Sequence, residues 1–201
     1  MGNETYIRFT TDISVDSAER LFRILNKLPS ENCNKIHLMI HSTGGSFDTA
    51  ILLYNQLRGF PSEIYTYNIG AVQSGAILLY CAGKKRFCFA NSSFMIHDAF
   101  IEINPGKFEQ KQLQEGANNL KRINETMAEI ISSTTGTSIE KVNHDMTDTT
   151  YFNPETAQKY GLVHEIKEPF IPNGVEILSV GEILPGESEQ SGCGKKGLEW
   201  Y

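Results

Sequence analysis

Apolar and polar positions along this chain follow two alternating rhythms. Tyr6-Ile7-Arg8-Phe9 alternates with the period of a strand, and Ala18, Leu21, Phe22, Leu25 and Leu28 then recur at helical spacing behind a capping-box-like start at Asp16 and Glu19. Pro29 to Asn34 breaks that helix. The run Ile36 to Ile40 predicts a buried strand, Phe47 to Arg58 a helix with Ala50, Leu53, Tyr54 and Leu57 on one face, and Ile64 to Ile69 a further strand. An apolar stretch from Ile77 to Ala82 reads as a buried helix, followed by short strands at Arg86 to Phe89 and Ser93 to Ile96. After an irregular stretch marked by the turn signal Asn104-Pro105-Gly106 comes the longest helix, about Phe108 to Thr134, with Leu113, Leu120, Ile123, Met127, Ile130 and Ile131 at helical spacing.

Thr137 with Glu140 predicts the start of a short helix, and Asn153-Pro154 opens another that Gly161 stops. Val163 to Ile166 is a last strand of the main body. Beyond Glu168 the chain turns polar and rich in glycine and proline, with Val175 to Val180 expected as its one ordered strand. Residues 1–168 therefore read as one domain and 169–201 as a partly ordered extension. Alternating strands and helices predict an α/β fold, a right-handed βαβ spiral with its site at the strand ends.

Candidate chemistry gathers between Gly70 and Phe100. Ser74 lies in Gly-Ala-Val-Gln-Ser-Gly-Ala at the mouth of the buried helix, where unpaired backbone N–H groups face any developing anion. Taken alone, the same serine also fits a helix cap, the residue type favoured there. The apolar strand Phe94-Met95-Ile96 delivers His97, and histidine is the residue type that most commonly serves as a general base. Upstream, Ser42-Thr43-Gly44-Gly45-Ser46 joins a strand to a helix and supplies a second group of free N–H donors.

These pieces resemble, in order, the motifs of the Clp protease proteolytic subunits, self-compartmentalising serine peptidases of the crotonase-like superfamily. His41-Ser42-Thr43-Gly44-Gly45-Ser46 is similar to the family's Asn-Ser-Pro-Gly-Gly turn, and Gly70 to Ala76 to its Gly-Gln-Ala-Ala-Ser-Met-Gly segment. Lys85-Arg86-Phe87-Cys88-Phe89-Ala90-Asn91-Ser92 with Met95-Ile96-His97, and Asn153-Pro154-Glu155-Thr156-Ala157 with Tyr160-Gly161-Leu162-Val163, complete the set. The resemblance, from about Tyr6 to Ile166, implies a ββα spiral fold, Ser74 as nucleophile, His97 as general base, and the N–H groups of Gly45 and Gly75 as oxyanion hole. It implies no metal or organic cofactor.

One position departs from the pattern. Counting back from Tyr160 to the family's aspartate lands on Thr149, with Asp148 beside it and Asp145 four residues earlier. Either Asp148, by a one-residue slip, or the Thr149 hydroxyl would then orient the imidazole. A weakly active or inactive Clp-like scaffold subunit is the alternative this departure raises. An acyl-CoA enzyme of the crotonase type is a further alternative, although such sites use glutamates and the Gly70 to His97 segment contains none.

The resemblance also makes the long helix a protruding handle that interlocks two stacked rings, whereas its periodicity alone equally suits a helix lying on its own core. Only five residues precede Tyr6, short for the family's pore-lining hairpin, so pairing with an AAA+ unfoldase is left open. The expected substrates are peptides or unfolded proteins.

Composition adds exclusions. The 201 residues are 40% hydrophobic and 21% charged, ordinary for a globular chain with a sizeable core. A formal charge of -6 speaks against nucleic acid or an anionic membrane as partner. Met1-Gly2-Asn3-Glu4 has neither the basic nor the apolar region of a secretion signal. Cysteines at 33, 81, 88 and 193 lack metal-like spacing, and Cys81 and Cys88 within apolar runs read as buried free thiols of a reducing cytoplasm.

Overall fold

The computed structural model describes residues 3–28, 33–101 and 106–181. Strands β1 (Asn3–Phe9), β2 (Cys33–Ser42) and β3 (Glu63–Gln73) run parallel, linked by α1 (Val15–Lys27) and α2 (Phe47–Arg58). Parallel neighbours need such crossovers, and each helix turns its predicted stripe inward: Ala18, Leu21 and Leu25 from α1, Ala50, Leu53 and Leu57 from α2. The chain continues through α3 (Ala76–Cys81), β4 (Lys85–Cys88), β5 (Ser93–Ile96), α4 (Gln110–Thr135), α5 (Ile139–Thr147), β6 (Thr150–Phe152), α6 (Pro154–Tyr160), β7 (Glu165–Ile166) and β8 (Ile177–Val180).

The sheet order is β6-β5-β3-β2-β1-β8, with β4 lying between β3 and β7. Among the described strands only β5 and β6 pair antiparallel. Strand β3 changes partner along its length: Tyr65 to Asn68 pair with β4, and Ala71 to Gln73 pair with β5. That handover brings the end of β3 beside the strand that carries His97. The expected strand at Val175 to Val180 is ordered from Ile177 and adds to the sheet edge beside β1.

Strand alternation gives the sheet two apolar faces. One packs with the helices in a large core that includes Ile7, Phe9, Leu38, Ile40, Val72, Phe94 and Ile96. The other gathers Tyr6, Met39, Tyr67 and Phe87. Its edge is held by the Tyr6 hydroxyl, which donates to the Phe170 carbonyl at 2.9 Å.

Arg86 is buried on β4 and pins several elements together. Its guanidinium donates to the carbonyls of Leu162 (2.8 Å), Gly161 (3.0 Å), Thr134 (3.1 Å) and Gly83 (3.4 Å). Three of these lie at the C-terminal ends of α4 and α6, where helix dipoles concentrate negative charge. No carboxylate pairs with it among the described residues.

The long helix starts two residues later than expected and splits in character. Ile123, Met127, Ala128 and Ile131 are buried in the core, while Leu113 and, just before the helix, Phe108 stand in solvent. Two helix starts differ from expectation. α1 is capped by Ser14 and Ser17, which bond reciprocally, rather than by Asp16 and Glu19. α5 is capped by Ser138, because the Thr137 hydroxyl is spent on the Tyr160 carbonyl at 3.0 Å. α6 opens at Asn153-Pro154 and stops at left-handed Gly161 as the sequence predicts. Residues 29–32, the turn residues Asn104 and Pro105, and the tail with Cys193 lie outside the described residues.

Candidate active site

Ser74 occupies the turn between β3 and α3, with a left-handed φ of 52°. A non-glycine residue there carries strain on the order of 1–3 kcal/mol and persists only where neighbours fix it. Here its N–H donates to the Met95 carbonyl at 2.9 Å, and its own carbonyl accepts the Ile77 N–H at 3.0 Å. The helix cap is Gly75, without a side-chain cap bond, so the serine hydroxyl is free for other work. It meets His97 Nε2 at 2.8 Å. In the tautomer with the proton on Nδ1, the hydroxyl donates and the imidazole accepts.

The glycine turn after β2 packs directly against this serine. A Cβ on Gly44 would lie 2.7 Å from Ser74 Cβ, so only glycine fits there. Gly45, at φ 133°, sits so that a Cβ on Gly75 would stand 3.3 Å from its carbonyl oxygen and 3.8 Å from its nitrogen. The neighbouring backbone groups are taken: Ile13 N–H bonds the Gly44 carbonyl, and Ser46 N–H the Ile13 carbonyl. The N–H groups of Gly45 and Gly75 are left without a partner among the described residues. Two free amides beside a hydroxyl that is bonded to an imidazole can hold an alkoxide as it forms.

The structure does not bring Asp148 to the site. Asp148 caps the C-terminus of α5, and its carboxylate is taken by His144 Nδ1 at 3.1 Å one helical turn back. Asp145 is likewise engaged, with Lys141 Nζ at 3.0 Å. Thr149 follows with a left-handed φ of 54°, an unusual conformation for a β-branched residue. No hydrogen bond reaches His97 Nδ1 from any described residue.

The segment that carries Thr149 is nevertheless tied to His97 by its neighbours. Asp98 N–H donates to the Met146 carbonyl at 3.1 Å, and Asp98 Oδ2 accepts from the Thr147 hydroxyl at 3.1 Å. Ile96 pairs with Thr150 across β5 and β6, and the half-exposed Phe100 ring leans on the imidazole with centroids 5.9 Å apart. Sequence reasoning missed Asp98 and Phe100. Asp98 meets its partner across 49 residues of chain, a contact no local pattern announces.

Known proteins resemble this chain in sequence and in fold. The ATP-dependent Clp protease proteolytic subunit 1 of Rhodopirellula baltica is 32% identical over 158 residues, covering 77% of this chain and 68% of that protein. The ATP-dependent Clp protease proteolytic subunit of Carsonella ruddii is 32% identical over 141 residues, covering 69% and 71%. A point mutant of ClpP1 from Listeria monocytogenes superposes with a TM-score of 0.72 at 25% identity, over 82% of this chain and 91% of that one. With residues 1–169 also matching the Clp protease family as a whole, this chain belongs to the Clp protease family.

Proposed function

We propose that this chain is a serine endopeptidase subunit in which Ser74 and His97 do the chemistry. The observation that carries the reading is the 2.8 Å contact between Ser74 Oγ and His97 Nε2, beside two unpartnered glycine amides. Ser74 Oγ attacks the scissile carbonyl while His97 Nε2 takes its proton, and the Gly45 and Gly75 N–H groups receive the oxyanion. The imidazolium then returns the proton to the leaving amine, and a water repeats the sequence to free the acyl group. Every step uses side chains and amides of this chain, with no call on a metal or organic cofactor.

We assign residues 1–168 to the peptidase body and 169–201 to an appended, partly ordered segment. The exposed Phe108 and Leu113 at the outer end of α4 support assembly of this body into a homo-oligomer of stacked rings, with α4 as the contact between rings. Peptides and unfolded chains are the substrates that reading implies, and a cytoplasmic setting suits the buried free thiols of Cys33, Cys81 and Cys88. Among the described residues no helix is long and apolar enough to cross a membrane. Family membership favours this function over the acyl-CoA alternative.

A second reading, a ring subunit of low activity, draws on one observation: Asp148 serves His144 rather than His97. One experiment separates the two. A fluorophosphonate probe should label the purified protein, and Ser74→Ala should abolish the label. An unlabelled wild type supports the scaffold, and a label that survives Ser74→Ala refutes Ser74 as nucleophile.

A further inference from the structure

Strand β3 carries an irregularity immediately before the serine. Ile40 pairs with Asn68 and Ser42 with Val72, so two steps along β2 are matched by four along β3, and Ile69, Gly70 and Ala71 bulge opposite His41. Bulges remove backbone groups from the ladder and re-aim the strand that follows. Here the N–H groups in the bulge find side chains. Gly70 N–H donates to Asn68 Oδ1 at 3.0 Å, and Ala71 N–H donates to His41 Nδ1 at 3.0 Å.

Asn68 is fully buried and works in two directions. While its Oδ1 holds the bulge, its Nδ2 donates to the Ser93 carbonyl at 2.7 Å, and its own carbonyl accepts the Phe89 N–H at 3.0 Å. Ser93 opens β5, the strand that ends one residue before His97. One amide therefore grips both the strand leading to the nucleophile and the strand leading to the base. His41 grips the bulge from the opposite side. A Cβ on Gly70 would stand 2.7 Å from His41 Nδ1, so a side chain at this position would push the solvent-exposed ring off the bulge.

We propose that Asn68 and His41 are positioning residues that lock this bulge and so set the approach of Ser74 to His97. Without the two side-chain acceptors, the Gly70 and Ala71 amides lose their partners and the handover from β4 to β5 loosens. The ladder to Ser93 and Met95 then slips, and the hydroxyl loses its line to Nε2. This inference rests on Ser74 being the nucleophile.

The test uses the full-length protein in its assembled form. In His41→Asn, Oδ1 stands at the side-chain position of Nδ1 and keeps the acceptor, whereas His41→Leu removes it. Phosphonylation of Ser74 by a fluorophosphonate, kcat and KM on a short peptide, thermal unfolding, and amide exchange at Ala71 are measured for each. Misplacing a nucleophile by an ångström costs on the order of a hundredfold, and a loosened bulge should give His41→Leu a fall of about tenfold in labelling rate and kcat. KM should stay within about twofold, because alignment enters the chemical step. His41→Asn should match the wild type in all four measurements. Asn68→Asp, which keeps the acceptor for Gly70 and loses the donor to Ser93, should also lower kcat. Wild-type rates in His41→Leu, or a His41→Asn variant as slow as His41→Leu at equal stability, overturn the proposal. If the wild type itself is not labelled at Ser74, the peptidase reading fails, and Ala71 exchange decides the bulge alone: faster in His41→Leu supports the lock, unchanged refutes it.

Discussion

Asp148 places its carboxylate 3.1 Å from His144 Nδ1, across one turn of α5, and makes no hydrogen bond to His97. Both partners are largely exposed, and such a pair contributes little to stability. Asp148→Ala should therefore leave peptidase activity within about twofold and the melting temperature nearly unchanged. Peptide hydrolysis and a thermal scan check this; a loss of activity beyond about tenfold would return Asp148 to the catalytic group.

Thr149 is the better place to add an acid. It holds a left-handed φ of 54°, which aspartate and asparagine tolerate better than a β-branched side chain, and it leads into β6, whose Thr150 pairs with Ile96 one residue before His97. Thr149→Asp should relieve backbone strain and offer a carboxylate to Nδ1. Loss of the aspartate from a serine–histidine–aspartate triad costs about four orders of magnitude. Even partial recovery should raise kcat by at least about tenfold, and hydrolysis at neutral pH compared between the two proteins measures it.

The segments that carry the candidate residues are legible in the sequence, and the reason is local. The alternation Phe94-Met95-Ile96 and the glycine turn before Phe47 state their own conformation, so the strand before His97 and the turn that holds Gly45 are read from short stretches, while the oxyanion-hole role of Gly45 and Gly75 is what the family resemblance implies. Asn153, Pro154 and Gly161 likewise mark α6 in full. What stayed hidden depends on distant partners. Strand β3 was expected to end at Ile69, because Gly70-Ala71 resembles a turn; it continues to Gln73, since Asn68 and His41 satisfy the bulge from elsewhere in the fold. The caps at Ser14 and Ser138 were displaced by one or two residues, because several neighbouring hydroxyl and carboxylate side chains can compete for the same amides. The role of Asp148 turned on a helical neighbour, His144, that no motif singles out.

The two glycine amides differ in how they tolerate substitution. Gly75 has an ordinary right-handed φ of -54°, and an added Cβ would meet the Gly45 carbonyl at 3.3 Å. Gly75→Ala should fold and lose about tenfold or more in kcat as the Gly45 amide is pushed aside, since one oxyanion donor is typically worth a hundredfold or more. At Gly45, φ is 133° and a Cβ would clash with the Ile13 carbonyl, so Gly45→Ala should fail to fold or unfold at much lower temperature. Circular dichroism with kinetics on the same preparations separates these outcomes.

His37 makes stability depend on pH. It is buried on β2, stacked on Tyr6 with centroids 4.5 Å apart, with Nδ1 at 2.9 Å from the Tyr67 hydroxyl and Nε2 at 3.2 Å from Glu4 Oε2. Burial holds its pKa below the ordinary histidine value, and the Glu4 carboxylate offsets only part of that. The unfolded chain, with a histidine pKa near 6.5, therefore binds protons more readily than the folded one. Stability is full above about pH 6.5, falls as the pH drops from there toward the folded pKa, and levels off below it. His164, also depressed by burial and by Arg86, adds in the same direction. Melting temperatures from about pH 8 to about pH 5 should fall more steeply in the wild type than in His37→Phe, and parallel curves would remove His37 as a source of the slope.

Arg86 is the place where one side chain decides how firmly the long helix is held. The residue is 6% exposed, and its guanidinium supplies hydrogen bonds to carbonyls at the ends of α4 and α6 and after α3, in a fork that an ammonium cannot reproduce. Arg86→Met would fill the volume and leave those carbonyls unpaired in a dry setting, at about 1–3 kcal/mol for each that finds no water. A total near 3 kcal/mol lowers the melting temperature of a chain this size by about 6–12 °C. Arg86→Lys should lose almost as much, because a single ammonium reaches at most some of the acceptors. Since Thr134 lies at the core end of α4, the loosened helix should also show faster amide exchange from Ile123 to Thr135. A melting temperature within about 2 °C of wild type in both variants would mean that helix packing, not the guanidinium, fixes α4.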